Sequence, residues 1–215
     1  MPGPVPAPGM SNSQPEETDM ATEVGDEDRD VIGGIDLSDD EYVVTQAWVR
    51  SRYRVDDADG NVVLRGKKKR FRMKEDFPFT TPDGDVAFRV KAQNIMDVAG
   101  DYNLVDEASG EPFAVIEKEF TLFQHVYRIR SPEGDLWATI ESESAAVMAL
   151  KSYVGLLSII PHSYTITDAS GSRIGTIEER FSLRDTYDVS LGDTGAVPRE
   201  AIMAAAVAID ALEEN

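Results

Sequence analysis

The sequence predicts an all-β protein: a closed antiparallel barrel of repeated hairpins with the last apolar segment buried inside it as a helix. Three observations carry this. From Tyr42 onward a unit recurs in which an aromatic residue opens a short alternating run, a turn ending in Gly follows, and a second β-rich run completes it. Within the runs apolar and polar residues alternate, the signature of strands with one face in a core. Finally, the segment PREAIMAAAVAIDAL from Pro198 to Leu212 is apolar on every face of a helical projection between residues 201 and 209. A helix apolar all round is buried all round.

The repeating units begin YRVDDADGNVVLRG at Tyr53, FPFTTPDGDVAFRV at Phe77, YNLVDEASGEPFAVI at Tyr102, YRIRSPEGDLWATI at Tyr127, YTITDASGSRIGTI at Tyr164 and YDVSLGDTGAV at Tyr187. Their turn glycines are Gly60, Gly84, Gly110, Gly134, Gly171 and Gly195, spaced 24, 26, 24, 37 and 24 apart. Asp59-Gly60, Asp83-Gly84 and Ser170-Gly171 supply the positive φ that tight hairpins demand. Tyr164 and Ile166 alternate with Thr165 and Thr167, and Tyr127 and Ile129 with Arg128 and Arg130. Six hairpins expose strand edges unless the sheet closes, which favours a barrel over an open sheet. The spacing of 37 marks an insertion within residues 142–163, SESAAVMALKSYVGLLSIIPHS. It is expected to be a short helix or an apolar cover ended by Pro161. In the terminal helix, Pro198 suits the first turn, where a missing N–H costs little, and Glu200 suits the dipole. At 1.5 Å per residue it is roughly 22 Å long, enough for a rod through a barrel.

Charge divides the chain. Residues 1–41 hold twelve acids and one base, Arg29, whereas the other 174 residues hold 28 acids and 20 bases. The overall charge of −19 is therefore mostly a property of the leader. Rich in Pro, Ser, Asp and Glu and without an aromatic residue, residues 1–41 are expected to be a disordered tail. The domain then runs from 42 to 215. No cysteine is present, which excludes disulfides, thiolate metal sites and thiol chemistry. Seven lysines against fourteen arginines on an acidic protein suit solubility in concentrated salt, as in a salt-loving microbe; an ordinary acidic bacterial protein is the plainer reading. The opening MPGPVPAPGM has neither the basic nor the apolar region of a signal peptide. The longest purely apolar run, Ala201 to Ile209, has nine residues, short of the roughly 20 a membrane span needs. A cytoplasmic monomer is expected.

Motifs for catalysis are weak. His125 and His162 have no neighbouring His, Asp or Glu at ligand spacing, and read as surface or strand-end residues. No G-x-S-x-G, Walker loop or G-x-G-x-x-G occurs. Asp57-Ala58-Asp59-Gly60 hints at a calcium loop, but aligning Gly60 with that loop's glycine places Val55 and Gly66 at ligand positions, so the aspartates read as turn formers. Glu117 with Glu119, and Glu141 with Glu143, sit two apart on strands and share a face. A solvated face is expected there; carboxylates at a barrel mouth would be the enzymatic alternative. No cofactor and no metal is expected.

One local anomaly is basic. RGKKKRFRMK at 65–74 contains Arg65, Lys67, Lys68, Lys69, Arg70, Arg72 and Lys74, seven of the 21 bases in ten residues. On a strand, Lys68, Arg70, Arg72 and Lys74 share one face, which could meet lipid phosphates or a nucleic-acid backbone. Phe71, Phe77 and Phe79 offer a stacking surface for bases or, more ordinarily, part of a core. The bland account pairs the cluster with the acidic tail or with Glu117 and Glu119.

The aromatic-x-φ-x-D/S-x-x-G hairpins, the opening strand YVVTQ at Tyr42 and the C-terminal apolar helix together resemble the LURP-one-related family. That family sits in the Tubby C-terminal-like superfamily, with phospholipid scramblases as distant relatives. The resemblance covers 42–215 and implies twelve strands around a central helix. The residues themselves place strands near 42–49, 51–56, 61–72, 77–80, 85–97, 101–106, 112–122, 125–131, 135–142, 163–168, 172–183 and 186–191, then the helix at 198–212. The resemblance also implies a non-enzymatic binding or scaffold domain, and the basic cluster at 65–74 would place it peripherally at anionic lipid headgroups on the inner face of the membrane. Nucleic-acid binding through 65–74 and an uncharacterised enzyme are the alternatives.

Overall fold

Alternating side chains and glycine turns produce the expected closed sheet. The computed structural model describes residues 1, 3, 32, 35–47, 52–67, 77–92, 101–120, 125–142, 163–180 and 185–213. Twelve strands succeed one another: β1 (Glu41–Ala47), β2 (Arg52–Asp56), β3 (Val62–Lys67), β4 (Phe77–Thr80), β5 (Val86–Ala92), β6 (Asp101–Asp106), β7 (Pro112–Phe120), β8 (His125–Arg130), β9 (Leu136–Ser142), β10 (Ser163–Asp168), β11 (Arg173–Arg180) and β12 (Thr186–Leu191). Among the described residues one α-helix, α1 (Arg199–Glu213), follows β12. Each strand pairs antiparallel with its neighbours in sequence, and β1 pairs with β12 to close the barrel. All of these elements lie in one compact unit, Val31–Asn215.

Four of the hairpins share one construction. In the first, the Gly60 N–H donates to the Asp57 carbonyl at 3.1 Å, and the Asp57 N–H to the Asn61 carbonyl at 2.9 Å. Gly60 has φ 83°, the left-handed conformation that closes a three-residue loop with a bulge. The ladder accordingly shifts register at Val55/Asp56, and again at Phe79/Thr80, Leu104/Val105, Ile129/Arg130 and Ile166/Thr167. Five of the six expected turns join strand to strand, the one at Gly110 through a loop one residue longer, in which the Gly110 N–H donates to the Asp106 carbonyl at 2.9 Å. The sixth differs: Gly195 turns the chain out of β12 and into α1. Pro198 comes soon after and has no N–H for a ladder, so β12 finds its second partner in β1.

The repeat is also a packing code. The aromatic residues that open the even strands are Tyr53, Phe77, Tyr102, Tyr127, Tyr164 and Tyr187, and all six belong to or pack against the core. Two residues on, Val55, Phe79, Leu104, Ile129, Ile166 and Val189 form a layer with 0% exposure. Residues 201–209 of α1 are buried throughout, as their apolar composition requires. Pro198 sits just before the helix, its carbonyl accepting from the Ile202 N–H at 3.3 Å.

The domain begins earlier than the expected boundary at 42. Ile35 and Leu37 are 1% and 5% exposed and join the same core. Two apolar side chains suffice to anchor a short segment whose neighbours are acidic. The expected extensions of strands over 68–72, 93–97, 121–122 and 181–183, and the insertion at 143–162, lie outside the described residues.

Candidate anion-binding face

Alternation points every second residue of a strand out of the barrel. On β2 these are Arg52 and Arg54, and on β3 they are Arg65 and Lys67, all exposed. The hairpin register sets Arg52 directly opposite Lys67 and Arg54 directly opposite Arg65. Like charges facing each other across a ladder are destabilising. The second pair is offset locally. Arg54 Nε lies 2.5 Å from Asp56 Oδ1, and its Nη2 donates to the Gly60 carbonyl at 3.4 Å. Arg65 donates to the Pro82 carbonyl. Arg52 and Lys67 have no ion-pair partner among the described residues. Two strands further along, β5 adds Arg89 and Lys91. Arg89 is held by Glu107, with Nε–Oε2 at 2.5 Å, and the guanidinium holds that carboxyl below its ordinary range.

The structure therefore places Arg65 and Lys67 on the outer wall and adds Arg52 and Arg54, which stand apart from the basic run in sequence. Lys68, Lys69, Arg70, Arg72 and Lys74 lie outside the described residues, as does Phe71. Phe77 and Phe79 belong to the interior: their rings stand 4.9 Å apart edge to face, and Phe79 stacks on Phe88 at 4.6 Å. Phe79 is fully buried, and Phe77 is partly buried against the same core.

The carboxylates expected to form a solvated face do lie on the outer wall, and two of them are ion-paired there. Arg128 pairs with Glu119, and Arg130 Nε lies 2.7 Å from Glu117 Oε2, each pair diagonal across β7 and β8. Both acids therefore have partners on their own wall. Glu141 is exposed on β9, and Glu143 lies outside the described residues. Asp57 behaves as a turn former: its carboxylate accepts from the Asn61 N–H at 2.7 Å and the Asn61 side-chain amide at 3.0 Å, which lowers its pKa. Asp106 and Asp168 also have lowered pKa values, the opposite of what a general acid needs. His125 opens β8, and His162 lies outside the described residues. Among the described residues no group of three or more metal-ligating side chains converges.

Among the described residues one charged side chain is buried. Lys118 is 4% exposed, with its ammonium 5.7 Å from the centre of the Tyr127 ring, directly across the ladder. Its period-two spacing from Ala114 and Ile116 places it on the inward face.

No helix among the described residues is long and apolar enough to cross a membrane. The strands are built in the opposite sense to a membrane-spanning barrel, with apolar residues inward and charged residues such as Arg54, Glu119, Arg128, Glu178 and Asp188 outward. The fold thus defines a class: a closed twelve-stranded antiparallel barrel, its interior filled by its own C-terminal helix, with charged chemistry on the outer wall. Within that class the sequence matches the LURP-one-related family over residues 62–210, and the chain belongs to that family. The match runs from β3 into α1. No curated protein matches the chain in sequence. The X-ray structure of a protein from Arabidopsis thaliana is similar in fold, with a TM-score of 0.53 and 8% identity, over 80% of this chain and 91% of that one.

Proposed function

We propose that this chain is a non-enzymatic binding domain that associates peripherally with anionic lipid headgroups, at the inner face of the membrane, through the outer face of β2 and β3. The observation that carries this reading is the like-charge contact of Arg52 opposite Lys67, beside Arg54 and Arg65, on a protein of net charge −19. Such a contact costs stability unless an anion relieves it. Lys67 also leads straight into Lys68, Lys69, Arg70, Arg72 and Lys74, which extend the same basic run. The barrel wall is convex, so a flat lipid surface meets it along a narrow strip, and two adjacent strands suit such a contact. A filled interior turns binding outward, and the engaged carboxylates favour binding over hydrolytic chemistry. The nucleic-acid alternative has less support because Phe77 and Phe79 face the core.

Co-sedimentation with vesicles containing anionic lipid, against neutral vesicles, tests the proposal. Each cation near an anionic surface contributes about 1 kcal/mol, so an Arg52→Gln/Lys67→Gln variant is expected to bind about thirtyfold more weakly. The measurement belongs at the ionic strength at which the protein works, since salt near 1 M shortens screening to about 3 Å. Equal partitioning of wild type and variant, or no preference for anionic vesicles, would end the lipid reading. A shift with DNA or RNA that weakens linearly in log salt would move the assignment to nucleic acid.

A further inference from the structure

The end of the barrel that carries the hairpin turns is also where α1 enters. β12 ends there at Leu191, and residues 192–198 lead the chain inward. Residues 35–40 arrive at the same end, immediately before β1. The Asp40 carbonyl accepts from the Leu191 N–H at 2.7 Å, which extends the β1–β12 ladder by one bond. Ile35 and Leu37 insert into the core cluster that also contains Val197 and Ile202, with Ile32 packed against it.

Arg199, the first residue of α1, ties these parts together. Its Nη1 donates to the carbonyls of Leu37, at 3.2 Å, and of Asp39. Its Nη2 reaches Asp40 Oδ1 at 3.2 Å and the Gly192 carbonyl at 3.1 Å. One guanidinium therefore serves three residues of the 35–40 segment and one of the loop that feeds the helix. Arg199 is 17% exposed while Asp40 is 74% exposed: the bonds to Leu37 and Asp39 are partly shielded from water, and those to Asp40 and Gly192 are open to it. A cation in the first turn of a helix opposes the helix dipole. The placement is unfavourable for the helix alone and is offset by what the side chain holds. A planar fork saturating several acceptors at once is chemistry specific to arginine.

We infer that residues 35–40 form a strap across the helix-entry mouth of the barrel, and that Arg199 is the latch by which this strap retains α1 inside. The helix has no strand register to hold it, since it is bound by apolar packing without a ladder. The latch fixes its entry end. Opening the strap is then the route by which the helix loosens while the wall stays closed.

Hydrogen exchange of the full-length protein tests this, comparing amides of α1 with those of β4 to β6, which approach α1 less closely than β7 and β8 do. In Arg199→Ala, exchange across residues 202–209 is expected to accelerate at least tenfold more than exchange in β4 to β6. Arg199→Lys, which keeps the charge without the fork, should recover only part of the protection. A second variant, Ile35→Ala/Leu37→Ala, weakens the strap while leaving its backbone acceptors for Arg199, and should loosen the helix in the same selective way. It decides the matter if Arg199→Ala does not fold. Unchanged helix exchange, or equal acceleration in helix and strands, would overturn the latch.

Discussion

An acid placed in the middle of the helix gives a quantitative test of its burial. Ala205 is 0% exposed, midway along a run in which every residue from 201 to 209 is buried. An aspartate there must either stay charged without water or accept a proton. Free aspartate has a pKa of about 3.9, so holding it neutral at pH 7 costs about 4 kcal/mol. Burying the neutral carboxyl without full hydrogen bonding adds roughly 1–3 kcal/mol. The total approaches the entire stability of an ordinary domain, about 5–15 kcal/mol. Ala205→Asn separates the two contributions, since it has nearly the same shape and polarity but no titration. Urea unfolding, followed by tryptophan fluorescence and circular dichroism, is the assay. At pH 7 the Asp variant should be less stable than the Asn variant by about 4 kcal/mol. The sign comes from the folded-state pKa being raised: the penalty is absent below the unfolded pKa near 4 and grows as pH rises above it. The two variants should converge on acidification. Equal stability of Asp and Asn variants at pH 7, or a pH-independent gap, would refute the placement of Ala205 in a dry interior.

Further outcomes are expected at three other positions. A Cβ on Gly175 would stand 2.5 Å from the Ser190 carbonyl oxygen and 2.9 Å from Leu191 Cδ2, both on the paired strand β12. Gly175→Ala should therefore cost about 1–3 kcal/mol in denaturant unfolding, whereas Gly192→Ala, whose nearest neighbour would be 3.7 Å away, should change little. Burial pushes the Tyr42 hydroxyl from 10.0 to about 12, with Arg199 offsetting part of the rise. Its contribution to stability is complete below about pH 10 and is lost as pH climbs towards 12; alkaline unfolding of Tyr42→Phe should lack that component. Asp168 has its pKa lowered by the Ser170 hydroxyl first and by the backbone N–H groups of Ser172, Ser170 and Gly171. Its stabilisation holds above the ordinary carboxylate range and fades as pH falls through the lowered value. Asp168→Ala should thus be less stable than wild type at neutral pH, and the gap should close in acid.

Much of the barrel was legible because each unit states its geometry locally. The glycine at the end of every turn, the alternation on its flanks and the aromatic residue opening the even strands arise from chain stereochemistry and burial. Gly195 was harder to read. Its turn resembles the others, but the chain beyond it departs from the pattern because Pro198 and the alanine-rich run favour a helix. Ile35 and Leu37 were masked in the sequence because composition averages over a window, and twelve acids outweigh two apolar anchors. The basic face was half legible. A run such as 65–74 stands out along the chain, but Arg52 and Arg54 join it only through cross-strand register. That register could have been inferred by folding the first hairpin about Gly60. Arg199 gave a signal too, as a cation where the helix dipole disfavours one.

Closing the barrel has a consequence for biosynthesis. The last wall contact joins Glu41 to Ser190, 149 residues apart, and the rod that fills the interior is made after every strand of the wall. Until α1 emerges, eleven or twelve strands have no core to close on, and contacts so distant in sequence form slowly. A nascent chain in that state presents apolar strand faces to its surroundings. The protein's most vulnerable moment therefore falls between the synthesis of β12 and the arrival of α1, and a ribosome paused in that interval would leave an open sheet where the finished protein has no edge.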